Sequence, residues 1–271
     1  MNNSEKLKSM VREKYAEIAT QSGKNHCCDD SKTNSCCSSK EVEYSVLAED
    51  YNKLDGYFPE ADLNLGCGLP TRYAGIKSGD TVVDLGSGAG NDVFVARRVV
   101  GDMGQVIGID MTKEMIEKSN QNKAKLGYNN VDFRIGEIEN LPLEDNSADV
   151  IISNCVLNLV PDKQKAFMEI YRSLKPGGHF CVSDIVLNGE MSDDLKKIAA
   201  IYAGCISGAM DEKEYLNIIE KTGFINIEIK QKIETGIPDE LLLQYISEDK
   251  LKQIYNQVRG IFSITVTGYK D

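Results

Sequence analysis

Three glycines at alternate positions, Gly86, Gly88 and Gly90, close an apolar run from Thr81 to Leu85 that carries one acid, Asp84. A buried strand that breaks into a glycine loop and then a helix is how an α/β sheet holds a nucleotide-like ligand at its carboxyl edge. A dinucleotide loop of the form G-x-G-x-x-G would need its third glycine at position 91, which is Asn91, so a pyrophosphate ligand fits poorly. The glycines still let backbone approach a ligand, and Asp84 can accept hydrogen bonds from a cationic group or offset its charge. Asp110 ends the next apolar run, where the acid of nucleotide-binding folds takes ribose hydroxyls. Loop, Asp84 and Asp110 together suit a ribose-bearing cation.

A second chemistry is written in cysteine. The eight cysteines stand at 27, 28, 36, 37, 67, 155, 181 and 205. In a chain of 271 residues without an apolar leader, thiol, metal or redox chemistry is a better expectation than a disulfide scaffold. Cys155 follows the run Asp149 to Asn154, which should deliver it to the same sheet edge as the glycine loop. Cys67 and Cys205 sit in LGCGLP and AGCISGAM, where small neighbours are expected to leave sulfur accessible. Soft thiolates select soft, thiophilic centres. Taken singly, a cysteine at a strand end reads as a small buried hydrophobe, and Cys181, alternating with Phe180 and Val182, reads as core. The pairs Cys27-Cys28 and Cys36-Cys37, with His26 adjacent, could also form a zinc site, although their separation fits neither common finger spacing. His179 follows the Gly177-Gly178 turn and reads as structural.

The elements that must position these residues follow from periodicity. Leu7, Met10, Val11, Tyr15, Ile18 and Ala19 predict a helix over 4–21. The polar stretch 23–40 reads as a loop, and a short amphipathic helix is expected around Tyr44 to Lys53. Leu65 to Pro70 reads as a tight turn with exposed backbone. From Asp80 the pattern alternates: strands at Thr81–Leu85, Gln105–Asp110, Val131–Ile135, Ala148–Ser153 and His179–Asp184, helices at Asn91–Val100, Thr112–Leu126 and Lys163–Leu174. Such alternation predicts a doubly wound, mostly parallel sheet with helices on both faces. Leu174-Lys175-Pro176-Gly177-Gly178 reads as a helix stop and turn. Beyond it come helices near Leu195–Ala203, Glu212–Thr222 and Asp239–Ser247, a strand near Ile225–Ile229, and an antiparallel edge strand at Ile261–Thr267. The expected division is an N-terminal helical and Cys-rich segment, 1–74, a ligand-binding α/β domain, 75–190, and a smaller C-terminal α+β region, 191–271.

With 41% hydrophobic and 27% charged residues the chain can bury a sizeable core. A net charge of -11 with scattered Lys and Arg argues against nucleic acid as partner. No run of about 18 apolar residues suggests a membrane span, and MNNSEKLKSM lacks a signal-peptide core, so the cytoplasm is the expected location.

VVDLGSGAG, the acid in IGIDMT, the block GEIENLPLEDNSADVIISN and LKPGG resemble the class I S-adenosylmethionine-dependent methyltransferases across roughly residues 75–190. The resemblance implies a Rossmann-like fold and S-adenosyl-L-methionine as cofactor. It assigns Asp84, Gly86, Gly88 and Gly90 to the methionine moiety, Asp110 with Met111 to the ribose, and Glu137 and Ile138 to adenine, with Asn154 close to the transferable methyl. Within that superfamily, REKYA, the Cys-Cys of the following loop, LGCGLP, IISNCVLNL and AGCISGAM are similar to arsenite methyltransferases over about residues 10–225.

This narrower resemblance implies that Cys67, Cys155 and Cys205 ligate trivalent arsenic, with Cys27 or Cys28 as a further redox cysteine able to pair with Cys67. A vicinal pair is poorly built to close on itself, since neighbouring Cα atoms lie about 3.8 Å apart and a disulfide usually needs about 4.4–6.8 Å. Thioredoxin or glutathione is the implied reductant, and a monomer the expected state. Two other readings compete: a methyltransferase acting on carbon or oxygen of a small organic molecule, with incidental cysteines, and a non-catalytic protein that binds a soft metal ion through its thiols.

Overall fold

The computed structural model describes residues 3–21, 50–189, 206, 208–236, 243, 247 and 258–271. Helix α1 spans Asn3–Gln21, where the apolar spacing predicts it. After a 3₁₀ turn at Tyr51–Lys53 and the single-turn helix α2, Pro70–Tyr73, the chain alternates β1 (Thr81–Leu85), α3 (Asn91–Val100), β2 (Gln105–Asp110), α4 (Lys113–Leu126) and β3 (Val131–Ile135). Then come β4 (Ala148–Asn154), α5 (Lys163–Ser173), β5 (Leu174–Gly189), α6 (Glu212–Thr222), β6 (Ile225–Thr235) and β7 (Val258–Tyr269).

All seven strands join one sheet in the order β3-β2-β1-β4-β5-β7-β6. Strands β1 to β5 are parallel; β7 runs antiparallel to both β5 and β6. The doubly wound, mostly parallel sheet is therefore present as the alternation predicts. Strand order reverses between β1 and β4, and such a switch point opens a crevice at the carboxyl ends of the two strands.

Because successive strand residues point to opposite faces, the apolar runs feed two cores. Val82, Val106 and Val150 pack with Val93, Phe94 and Ala96 of α3 on one face. Val83, Ile107 and Ile151 pack with Phe167 and Ile170 of α5 and Tyr215 and Ile219 of α6 on the other. Phe94, Phe167 and Phe180 are fully buried, and each such ring contributes about 1.5–3 kcal/mol. The glycine at the end of α4, Gly127, takes the left-handed conformation (φ +69°) that closes helices, and Asp162 caps α5 by accepting from the Lys165 amide.

Four expectations are corrected. The run Ile261–Thr267 is antiparallel but not an edge: β7 lies between β5 and β6, and β6 is the outer strand. The fifth strand runs well beyond His179–Asp184, because β7 pairs with it from His179 opposite Tyr269 to Gly189 opposite Val258. The LKPGG turn is absorbed into that strand as a bulge, between the pairs Ala148–Leu174 and Val150–His179, with Gly177 at φ +77°. The described end of the helix expected at 44–53 is a 3₁₀ turn, capped by the Asp50 carboxylate accepting from the Asn52 amide. The helices expected at Leu195–Ala203 and Asp239–Ser247 fall, but for Leu243 and Ser247, outside the described residues. The described part of 191–271 is built onto the same sheet as 75–190.

Candidate active site

The crevice at the switch point is walled by the glycine loop, the end of β2, the Gly136–Glu139 turn, the end of β4 and, across the top, α1. Gly86 and Ser87 donate their amides to the Ile109 carbonyl at 2.7 and 3.0 Å, and Gly88 donates to the Asp110 carboxylate at 3.0 Å. Asp110 also accepts from the Thr112 amide at 2.8 Å, so its two oxygens are each held by backbone with lone pairs to spare. The three glycines are not equivalent. All have positive φ, but a Cβ on Gly86 would lie 2.4 Å from the Val156 side chain and one on Gly90 2.9 Å from the Phe94 ring. A Cβ on Gly88 would meet nothing nearer than the Met115 sulfur at 4.0 Å. Gly86 and Gly88 both line the cleft, and only Gly88 has room there for a Cβ.

The charge balance of this pocket is lopsided. Asp84 is buried, and burial, followed by the nearby charges of Asp92 and Asp110, pushes its carboxyl well above the usual range. Burial also pushes Asp92 up to about 6, with hydrogen bonds from Tyr51, Asn154 and Thr71 pulling it back. Among the described residues none of these three acids forms an ion pair. Ser87 Oγ and Asn91 Oδ1, on the same wall, are buried without a hydrogen-bond partner there. Unpaired buried acids, orphaned polar atoms and an open glycine backbone fit a ligand that carries a cation and several hydrogen-bonding groups. S-Adenosylmethionine, a sulfonium nucleoside, meets that description.

Glu137 and Ile138 line the cleft, together with Met111. Ile138 is buried in the core, while the Glu137 carboxylate is engaged by Lys8 at 2.8 Å and Arg12 at 3.3 Å, both from α1. Lys8 also pairs with Glu139. Lys8, Val11 and Tyr15 thus turn α1 into a roof over this end of the cleft. Nothing in the spacing of α1 points to that role, because a helix's apolar stripe does not say which surface receives it.

Cys67 and Cys155 arrive at the opposite end. Cys155 lies just past β4, its amide donating to the Ser183 carbonyl of β5 at 2.7 Å. Cys67 is fixed from both sides: its amide donates to Asn154 Oδ1 at 3.0 Å, and its carbonyl accepts from Ser263 Oγ at 2.6 Å. The turn expected to expose backbone and sulfur is instead sunk into the molecule, with Cys67 1% and Cys155 2% exposed. Its glycines explain the correction: a Cβ on Gly66 would strike the Asn154 amide at 2.7 Å and one on Gly68 the Ser183 hydroxyl at 2.6 Å, so only glycine lets the turn settle there. The Tyr215 hydroxyl is raised well above its ordinary pKa by burial and by the adjacent Asp184, with smaller contributions from Cys67 and Cys155. Cys205, Cys27 and Cys28 lie outside the described residues, as do His26, Cys36 and Cys37. Next to Cys205, Ile206 is fully buried and Gly208 packs so closely on the Asn158 carbonyl that a Cβ would lie 1.9 Å from it.

Cys181 is core, as expected. Its Sγ donates to the Pro70 carbonyl at 3.3 Å and burial pushes the thiol up to about 12. His179 bonds the Ala74 carbonyl and stacks on Tyr269, 4.9 Å between centroids. Among the described residues no group of three His, Cys, Asp or Glu side chains is arranged to hold a metal ion.

Below the thiols, Asp184 is fully buried and accepts from the Tyr215 hydroxyl at 3.2 Å. Burial pushes its carboxyl up to about 7, against the pull of the Lys163 charge and nearby hydrogen bonds. The folded chain therefore holds this proton more tightly than the unfolded chain, whose Asp titrates near ~3.9. The stability this confers is full below the unfolded value and is lost as pH rises through about 7. Urea unfolding from pH 4 to pH 8 should show a fall in stability that is smaller in Asp184→Asn by on the order of a few kcal/mol. Parallel pH curves for the two proteins would contradict it.

Comparison with known proteins adds the following. A methyltransferase-domain family matches residues 76–223. The arsenite methyltransferase of Halobacterium salinarum is 44% identical over 239 residues, 85% of this chain and 60% of that protein. The one from Aquipseudomonas alcaligenes is 35% identical over 227 residues, 81% of this chain and 64% of its own length. Among solved structures, the arsenic(III) S-adenosylmethionine methyltransferase of Chlamydomonas reinhardtii superposes with a TM-score of 0.64 at 31% identity, covering 84% of this chain and 73% of that one. The chain thus spans about three-fifths of the length of these curated relatives. Among the described residues no helix is long and apolar enough to cross a membrane.

Proposed function

Since the chain belongs to the class I S-adenosylmethionine-dependent methyltransferases and, within them, to the arsenite methyltransferases, we propose that it methylates trivalent arsenic held by the thiolates of Cys67, Cys155 and Cys205. The observation that carries this reading is the joining of two cysteine-bearing segments, 87 residues apart, through the Asn154 side chain at the edge of the cofactor cleft. In this reading Asp110 and Met111 take the ribose, Glu137 and Ile138 flank adenine, and Asp84 with Gly86, Gly88 and Gly90 faces the methionine part. Asn154 stands between the cofactor cleft and the thiols.

The cofactor, when bound, supplies a sulfonium methyl, an electrophile that asks for no general base. The work left to the protein is placement. Three thiolates hold arsenic as a pyramid whose lone pair is fixed in direction, and orientation of this kind can be worth about 7–11 kcal/mol of barrier. Forming the As–C bond withdraws two electrons from arsenic in formal terms. Cys67 paired with Cys27 or Cys28 returns them as the two thiols close to a disulfide, and thioredoxin or glutathione reopens it. The same reading takes a monomer in the cytoplasm as the working form.

The test is incubation of purified protein with micromolar arsenite, a thiol reductant and isotopically labelled methyl donor, followed by chromatography of the arsenic species. Labelled methylarsenicals are expected. Donor binding without methylated arsenic would move the assignment to an organic acceptor, and absence of donor binding to a thiol-based metal binder.

A further inference from the structure

The polar atoms around Asn154 form a closed set. Its Nδ2 donates to Tyr51 Oη at 2.6 Å, to the Gly68 carbonyl at 2.8 Å and to Asp92 Oδ2 at 3.2 Å. Its Oδ1 accepts from the amides of Cys67 and Gly68 at 3.0 and 3.3 Å. Tyr51 donates to Asp92 at 2.8 Å and reaches the Gly68 carbonyl at 3.2 Å, and Thr71 Oγ1 stands 3.5 Å from Asp92 Oδ1. Tyr51 and Asp92 are buried. Asp92 belongs to the first turn of α3, directly behind the glycine loop, and Asn154 ends β4, one residue before Cys155.

We propose that Tyr51, Asp92 and Asn154 are positioning residues for the thiol site: they grip the peptide of the Cys67 turn by the amides of Cys67 and Gly68 and by the Gly68 carbonyl, and so fix Cys67 relative to Cys155. A planar amide with both donor and acceptor in use cannot turn over, so Asn154 sets the height of the turn as well as its direction. Asp92 and Tyr51 hold that amide in its orientation, and the ionised acid makes these bonds the stronger kind. A merely space-filling role would not need a buried carboxylate there, because an unpaired one is costly to bury. The inference rests on the reading of Cys67 as an arsenic ligand, but its mechanical part does not.

Tyr51→Phe and Asp92→Asn keep the shape of the network and remove one hydroxyl or one charge. Three quantities are read on each: the rate at which iodoacetamide alkylates Cys67 relative to Cys181, by peptide mass spectrometry; the dissociation constant of arsenite, by arsenic analysis after gel filtration; and that of labelled S-adenosylmethionine, by equilibrium dialysis. Tyr57→Phe, which removes a half-buried hydroxyl bonded to Asp62, serves as control. Cys67 alkylation is expected to rise at least ~10-fold while Cys181 stays protected. Arsenite should bind about tenfold more weakly, a loss of about 1.4 kcal/mol, and in Tyr51→Phe, which keeps all three acids of the cleft, S-adenosylmethionine affinity should stay within roughly threefold. In the double variant the losses should not add, as members of one network do not. Unchanged Cys67 reactivity overturns the proposal, and so does a parallel loss of protection at Cys181 in either variant or a parallel loss of cofactor affinity in Tyr51→Phe, which would mark a general loosening. If the wild type binds no arsenite while Cys67 reactivity still responds, the grip on the turn stands and the arsenic reading fails.

Discussion

Cys155→Gly is expected to leave the fold standing and to abolish arsenic methylation, with turnover reduced at least ~1000-fold, about 4 kcal/mol of activation free energy. Cys155 has φ +61°, a left-handed backbone that costs a side-chain-bearing residue about 1–2 kcal/mol. Glycine relieves that strain and keeps the amide bond to the Ser183 carbonyl. Against this stand the extra entropy of glycine in the unfolded chain, about 0.5–1 kcal/mol, and the loss of a small buried thiol. The terms nearly cancel, so the melting temperature should stay within a few degrees of wild type. On the proposed reading, by contrast, a ligand is lost outright: two thiolates cannot hold the arsenic lone pair in one direction. Strain kept at a thiol next to the cofactor cleft is what a functional position looks like, since a core cysteine would gain nothing from it. Cys181→Ala is the matched control, expected to cost stability while sparing turnover. A Cys155→Gly protein that keeps more than a tenth of wild-type turnover would remove Cys155 from the ligand set.

The framework of this molecule was legible because buried parallel strands have to be apolar throughout and their helices have to repeat at 3.6 residues. Thr81–Leu85, Gln105–Asp110 and Val131–Ile135 are found where those patterns place them, and the acids Asp84 and Asp110 fall at strand ends by the same logic. What escaped depends on contacts across long stretches of sequence. That β7 inserts between β5 and β6 follows from pairing over 69 or more residues with β5, and an apolar run carries no mark of its partner. Tyr51, Asp92 and Asn154 come together from positions 41 to 103 residues apart; Asp92 reads in the sequence as an ordinary acid of a helix's first turn. The accessibility expected for Cys67 was misread for a physical reason: small neighbours can expose a sulfur, but they can equally let the backbone sink, and Gly66 and Gly68 do the second. The roof supplied by α1 shows in Lys8 and Arg12 only once Glu137 and Glu139 are seen beneath them.

The same distinction between glycines makes the cofactor loop testable residue by residue. Gly86→Ala puts a methyl 2.4 Å from Val156 at φ +71°, so overlap and backbone strain act together. It should cost on the order of 3 kcal/mol of stability, enough to lower the melting temperature by roughly 6–12 °C. Gly88→Ala meets only open space and carries the backbone term alone, about 1 kcal/mol at φ +51°. Its methyl group stands where the loop faces the cleft, on the wall that also presents the unpartnered Ser87 and Asn91 oxygens. S-Adenosylmethionine affinity should therefore fall at least ~100-fold, about 2.7 kcal/mol, in the variant that is the more stable of the two. The measurement is a thermal melt with and without S-adenosylhomocysteine: Gly88→Ala should lose the ligand-induced shift while melting near wild type, and Gly86→Ala should melt low with or without it. A full ligand shift in Gly88→Ala would mean that the cofactor does not lie against this part of the loop. The burden of holding it would then pass to Asp110 and the Glu137–Ile138 turn.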